Sequence, residues 1–229
     1  MKRTKIIISL AVTLLFSAAN ITHVNAMTTN DNEPEFAIKE NYIIDNAGHK
    51  YSHFTNTSGE SVSLEEALNI LNGNINTQSV SLKRRSSRGP VPGIESVTVK
   101  SVVNKYVGGA KKITQDVEGP LAVAYTVSTT SSSSISGSFT ATAKRLIFNT
   151  VEASVSVEIT NTKTSTDEVS VSGTVDYGKK GAIYFKPYYL KASGTYTSDG
   201  GQTTQSFTSY YPLLTDTGFA DGLFYLYQY

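Results

Sequence analysis

A mainly β protein is what this 229-residue sequence predicts: an elongated antiparallel β-sheet or sandwich domain with a small α+β piece at its N-terminal side. Three observations point there. From residue 94 onward apolar and polar residues alternate with period two, the repeat of a strand with one buried face. Turn compositions such as Gly178-Lys179-Lys180-Gly181 punctuate the runs. Only one segment combines helical spacing with a capping signal.

The N-terminus comes first. Lys2, Arg3 and Lys5 precede a mostly apolar run from Ile6 to Phe16, and Val24-Asn25-Ala26 is a small-residue cleavage pattern. Residues 1–26 therefore read as a secretory signal peptide, whose apolar run is too short to span about 30 Å of hydrocarbon as a helix. No later segment is apolar enough to span as a helix, so the expected product is secreted and extracellular. The chain has no cysteine, which leaves its core and sheet to hold it together and excludes thiol catalysis. The short basic signal and the missing cysteines fit a bacterial secreted protein.

Residues 27–82 form an acidic region with eight acids and two bases. Its first residues, MTTNDNEPE, are polar enough to stay disordered. FAIKENYII and HKYSHF are short strand candidates around the turn Asp45-Asn46-Ala47-Gly48. Ser63-Leu64-Glu65-Glu66 is a capping box, Leu64, Ala67, Leu68 and Leu71 recur at helical spacing, and Gly73 stops the helix. Residues 83–93 read as a basic Pro/Gly linker. Lys83, Arg84, Arg85 and Arg88 make it a protease target. Two readings stand: a processing site at Arg84, Arg85 and Arg88 that separates an acidic pro-region, or a plain solvated linker.

Residues 94–229 form the β-rich domain. Val97, Val99, Ser101 and Val103 share one face of the first run, and Leu121, Val123, Tyr125 and Val127 one face of the second. Ser128 to Ser134 is a hydroxyl-only run. Ile135, Gly137, Phe139, Ala141 and Ala143 alternate with Ser and Thr, and Val151, Ala153, Val155, Val157 and Ile159 alternate with Ser and Glu. These two runs predict a hairpin over 135–159. Each strand has nine residues, near the roughly 9–11 that cross a bilayer when tilted. Its tip carries Leu146, Ile147 and Phe148 where a soluble hairpin normally has a polar turn. Val169, Val171, Val175 and Tyr177 continue the alternation. Residues 182–197 suggest a strand pair, residues 203–229 add two or three aromatic strands, and LFYLYQY is expected to pair as a strand.

The stretch from about Ser131 to Tyr196 resembles the core of the aerolysin-type, ETX/MTX2-like β-pore-forming toxins. The matching features are the Ser/Thr-rich strand, the apolar junction LIFN, VEASVSVEI, the run TNTKTST, DEVSVSGTV and the basic turn in YGKKGAIYFKPYYLKASGTY. The resemblance implies a hairpin that lies against the body in the soluble form and joins a barrel after homo-oligomerisation. Leu146, Ile147 and Phe148 would lead insertion. Implied partners are membrane lipid or a cell-surface receptor. The alternative is a non-toxic extracellular or cell-surface binding or structural protein with the same sheet.

Other sites are weaker. Asp45, His49 and His53 have spacing that would suit zinc on a helix, but Gly48 and HKYSHF argue turn and strand. Asp199-Gly200-Gly201 has too few oxygen ligands for calcium. With His49 and His53 both upstream of the linker, a Ser-His-Asp triad is not expected, and Glu152 and Glu158 read as solvated or lumen-facing. No enzyme, cofactor or metal is therefore expected. The mild charge balance does not indicate nucleic acid. The tyrosines and phenylalanines after residue 180 read as sheet core, or as a surface for cell-wall glycan or lipid headgroups.

Overall fold

The structure is a computed structural model that describes residues 34–73, 95–155, 157–160, 162–198, 202–216 and 218–229. It is mainly β, as the period-two pattern predicts. Twelve strands and two helices are described, and Pro34–Tyr229 form one compact unit. The readings of residues 1–26 as a signal peptide and of Arg84, Arg85 and Arg88 as a processing site lie outside the described residues.

The sheet is organised on one long strand, β10 (Lys180–Ser198). Residues 182–197, expected as a strand pair, continue in a single strand instead. No glycine pair interrupts them, and nearly every second side chain is buried along the whole length. The first half of β10 pairs with β12 (Gly222–Gln228), from Gly181↔Gln228 to Pro187↔Gly222. Its second half pairs with β11 (Thr203–Pro212) on one side and β4 (Ser96–Val107) on the other. The aromatic C-terminal run thus pairs as expected.

The N-terminal residues complete this sheet. β1 (Phe36–Ile38) and β2 (Ile43–Asp45) form a short antiparallel pair, and β3 (Lys50–Asn56) joins β2 to β12. Helix α1 (Leu64–Leu71) begins at Ser63, whose hydroxyl accepts from the Glu66 amide at 3.2 Å. Ala67, Ile70 and Leu71 are its buried residues.

β4 departs from the simple alternation. Val97 and Val99 pack against the core, but the next buried residue is Val102, and Ser101 is exposed. A register irregularity between Ser193 and Gly194 lies opposite this step. One extra residue on a strand exchanges its two faces, so Ser101 and Val103 do not continue the face of Val97 and Val99.

Two short strands, β5 (Lys111–Lys112) and β6 (Val117–Glu118), add to the edge of β10. β7 (Ala122–Ser132) and β9 (Thr162–Thr174) form a separate antiparallel ribbon. The base of this ribbon is anchored: Val123 and Val171 are buried with Val175, Ile183, Phe185, Phe224 and Leu226. Gly173 permits the approach, because a Cβ there would lie 2.9 Å from Leu226 and 3.0 Å from His53.

Candidate functional site

The candidate site is the segment that joins β7 to β9. It does not form the expected hairpin. Among its described residues only Ser134–Ile135 is strand, β8, which pairs with β11 through Ser209↔Ile135 and Tyr210↔Ser134. Residues Ala141–Ser154 form a helix, α2. Among the described residues, the strands expected over 135–143 and 151–159 and the turn expected at 144–149 are therefore replaced, for the most part, by this helix.

The physical reason lies in a second period within the same residues. Ala143, Ile147 and Val151 recur every fourth residue and are the buried residues of α2. Thr140 caps the helix, its hydroxyl accepting from the Ala143 amide at 3.2 Å. Ala141, Ala143, Lys144, Arg145 and Leu146 are good helix formers. The hydroxyls that would favour a strand are absorbed locally: Thr150 donates to the Leu146 carbonyl at 2.8 Å and Ser154 to the Thr150 carbonyl at 2.6 Å. The cap and the four-residue repeat were visible in the sequence; the longer period-two pattern obscured them.

α2 is a weak helix by its own chemistry. It has no acid in its first turn and no base in its last. Lys144 lies near its N-terminus and Glu152 near its C-terminus, each against the helix dipole. Thr142, Ile147, Thr150 and Val151 are β-branched, which costs side-chain freedom in a helix. Tertiary packing must hold it. The helix packs against β4 and β10. Ala143, Ile147, Val151 and Ile159 share one buried cluster with Leu190, Ala192, Phe207 and Tyr211.

The three residues expected to lead insertion are thus held against the body. Ile147 is 0% exposed, while Leu146 and Phe148 are half-buried and packed on the same cluster. The Phe148 ring meets Tyr211 edge-on with centroids 5.4 Å apart, and Phe139 meets Tyr196 in the same way at 5.8 Å. On either side of α2 the segment is tethered. The Ser136 amide donates to the Thr208 carbonyl at 2.8 Å, and Ile159 forms a bridge to Leu213. Past α2, Val157 and Glu158 line an open cleft of about 540 Å³ with Asn104, Lys105, Leu213 and Asp221. Glu152 and Glu158 are exposed.

Of the other residues singled out, Asp45 and His49 do meet, but as a turn lock. Asp45 accepts from the Ala47 and His49 amides at 3.0 and 2.9 Å, and its second oxygen lies 2.9 Å from the His49 ring. The Tyr51 hydroxyl donates to that second oxygen at 3.0 Å. Burial pushes the Asp45 carboxyl up, but these hydrogen bonds outweigh it and hold the group below the ordinary carboxylate range. Among the described residues no three His, Asp or Glu side chains gather to hold a metal ion.

This lock carries a sign-definite prediction. A depressed carboxylate pKa contributes stability above the unfolded value, near 3.9, and the contribution is lost as pH falls through the folded value. Asp45→Asn should therefore cost about 1–3 kcal/mol at neutral pH. The gap to wild type should close only below roughly pH 4. Urea unfolding at pH 7 and pH 3 checks this; an equal gap at both would refute it.

The late aromatics divide between core and surface. Tyr188, Tyr196, Tyr211, Phe224 and Tyr225 are buried. Tyr106, Tyr189 and Tyr210 form a partly exposed group, with ring centroids 5.2 Å apart for Tyr106 and Tyr210 and 6.5 Å for Tyr189 and Tyr210. The Lys191 ammonium lies 4.9 Å from the Tyr106 ring centre. Comparison with known protein families, with curated proteins and with solved structures finds no match to this chain.

Proposed function

We propose that this is a secreted bacterial protein that acts on membranes, and that it forms pores in the manner of aerolysin-type toxins after homo-oligomerisation. One observation carries the reading. The link between the two strands of a Ser/Thr-rich ribbon keeps its large apolar residues, Ile147 and Phe148 among them, packed against the body on a helix with little stability of its own. Such a segment is water-compatible while docked and lipid-compatible once freed. The partners are then membrane lipid, with or without a cell-surface receptor, and further copies of the same chain. The assigned role is not enzymatic and calls for no cofactor.

A second reading is favoured by the Tyr106, Tyr189, Tyr210 and Lys191 group. Aromatic faces beside a cation suit a glycan or a lipid headgroup, as in a non-toxic extracellular or cell-surface binding protein. Dye release from anionic, zwitterionic and sterol-containing vesicles separates the two. The pore reading expects release together with a membrane-bound oligomer. No release from any of the three, with no oligomer, would leave the binding reading.

A further inference from the structure

Resting on the second reading above, and independent of the first, we infer that the outer face of β4, β10 and β11 is a binding site for a carboxylated sugar. A bulge builds the site. Tyr189 pairs with Tyr106 and Lys191 with Val103, so β4 uses one more residue than β10 over this step. Without the extra residue Tyr106 would oppose Tyr188, which is buried in the core. With it, Tyr106 opposes Tyr189 and stands on the outer face, 37% exposed. The bulge holds Lys105 at a φ of 60°, the left-handed region that a non-glycine residue seldom adopts. Strained backbone of this kind, and bulges that re-aim a side chain, recur beside ligand sites. The rings then meet above β10. Tyr210 on β11 opposes Lys191, and its ring reaches that of Tyr106 from the other side of β10. The Lys191 ammonium lies between them, 4.9 and 5.8 Å from the two ring centres. Gly108 makes room for Tyr189, because a Cβ there would sit 2.6 Å from the tyrosine ring.

Charge selects the sign of the ligand. β4, β10 and β11 contain no aspartate or glutamate over their whole length. Lys191 makes no ion pair among the described residues, so its charge is left for an anion. A cationic headgroup is disfavoured, because the tyrosine faces that would hold it already hold Lys191. A lone lysine would suit any anion, and bare rings any apolar body. Together they suit an apolar C–H face with a carboxylate beside it, which is the chemistry of a uronic or sialic acid. Hydroxyl partners stand next to them. Ser193 follows Lys191 on the same face, about 7 Å along the strand, and its hydroxyl lies 2.6 Å from that of Ser101 in an exposed pair. The group measures about 10 Å across its three strands. That footprint suits sugar rings and falls far short of the roughly 800 Å² that each partner contributes to a stable protein interface.

Titration calorimetry on the full chain tests this. The probes are oligogalacturonate and sialyllactose, each set against an uncharged counterpart: the methyl ester of the first, and lactose. At least one acidic probe should bind about ten-fold or more tightly than its counterpart, with affinity falling as salt rises. Tyr106→Ala and Lys191→Gln should each weaken that binding about ten-fold. Lys179→Gln, on the exposed turn before β10, should leave it unchanged. Neither Tyr106 nor Lys191 is buried, so thermal unfolding of both variants should match wild type and the loss is local. Equal binding of an acid and its uncharged counterpart would overturn the carboxylate while leaving a glycan surface standing. Binding to anionic or zwitterionic vesicles with no sugar bound would replace the sugar by a lipid headgroup. Binding that survives both substitutions would place the ligand elsewhere and remove this site. Binding of no sugar and no vesicle overturns the inference and the second reading together, and leaves the pore reading untouched.

Discussion

Replacing Phe148 by aspartate should abolish dye release from vesicles while leaving a folded, soluble protein. Phe148 is half-buried and touches the body through its ring contact with Tyr211. The substitution loses that contact, a cost of about 1–3 kcal/mol, which a cooperative sheet of this size can absorb. If Phe148 leads insertion as proposed, the same carboxylate would have to cross the hydrocarbon, at about 2.5–3.5 kcal/mol or more for each inserting chain. Ile147→Ala should act with the opposite sign. Ile147 is fully buried, so truncation weakens the docked state by about 2–5 kcal/mol while keeping the tip apolar. Its expected phenotype is lower thermal stability with faster release. Vesicle leakage beside thermal unfolding checks both; a Phe148→Asp variant that leaks at the wild-type rate would remove the tip from the mechanism.

The two opposite signs follow from where the apolar surface goes. Freeing α2 and the residues that lead into it would expose the buried Ile147 and Val151 and the half-buried Phe139 and Phe148 together, at a gross cost of about 4–9 kcal/mol from burial alone. No gain of helix or strand propensity offsets that, so the docked form persists in solution. If the protein forms the proposed pore, the same side chains would again be out of water in a bilayer, and the closed ladder of a barrel would satisfy the backbone groups that undocking leaves open. On the proposed pore reading, release of α2 would require a surface that is apolar and a set of neighbouring strands, which assembly on lipid would provide.

Much of the fold was legible because period two is a simple signal. The strand character from residue 96 onward, the Ser63 cap of α1 and the pairing of LFYLYQY all follow from local pattern. What the pattern could not give was register. The irregularity opposite Ser193 and Gly194 exchanges the faces of β4, and no residue in SVTVKSVVNKYV announces it. At 135–159 the difficulty was of another kind. Ala143, Ile147 and Val151 satisfy a helix, and Ala143, Val151, Ala153 and Val155 satisfy a strand. Local sequence carries both solutions, and only the docking surface of Leu190, Phe207 and Tyr211, distant in sequence, selects the helix. The apolar character of Leu146, Ile147 and Phe148 was readable; their burial was not.

Cutting the chain within 83–93 should not release the N-terminal strands. With a specific protease site placed between Arg85 and Pro90, the two fragments are expected to co-elute as one species in native buffer and to separate only in denaturant. β3 is hydrogen-bonded to β12 from Lys50↔Gln228 to Asn56↔Leu223. Ile43, Tyr51, Phe54, Ile70 and Leu71 are buried in the main core, and Tyr51 and Phe54 pack on Tyr225 with centroids 5.6 and 6.2 Å away. Polar ties add to this: Thr57 donates to Asp221 at 3.0 Å, Lys186 to the Leu71 carbonyl at 3.3 Å, and Lys50 pairs with Asp176 at 2.7 Å. Departure of β3 would also bare the edge of β12, a long apolar strand that would then seek another partner. If the fragments stay together and leakage is unchanged, residues 34–73 are a structural part of the body. If they separate on cutting, and leakage rises with the loss of the N-terminal fragment, those residues are a removable pro-region and the ladder to β12 is weaker than its geometry implies.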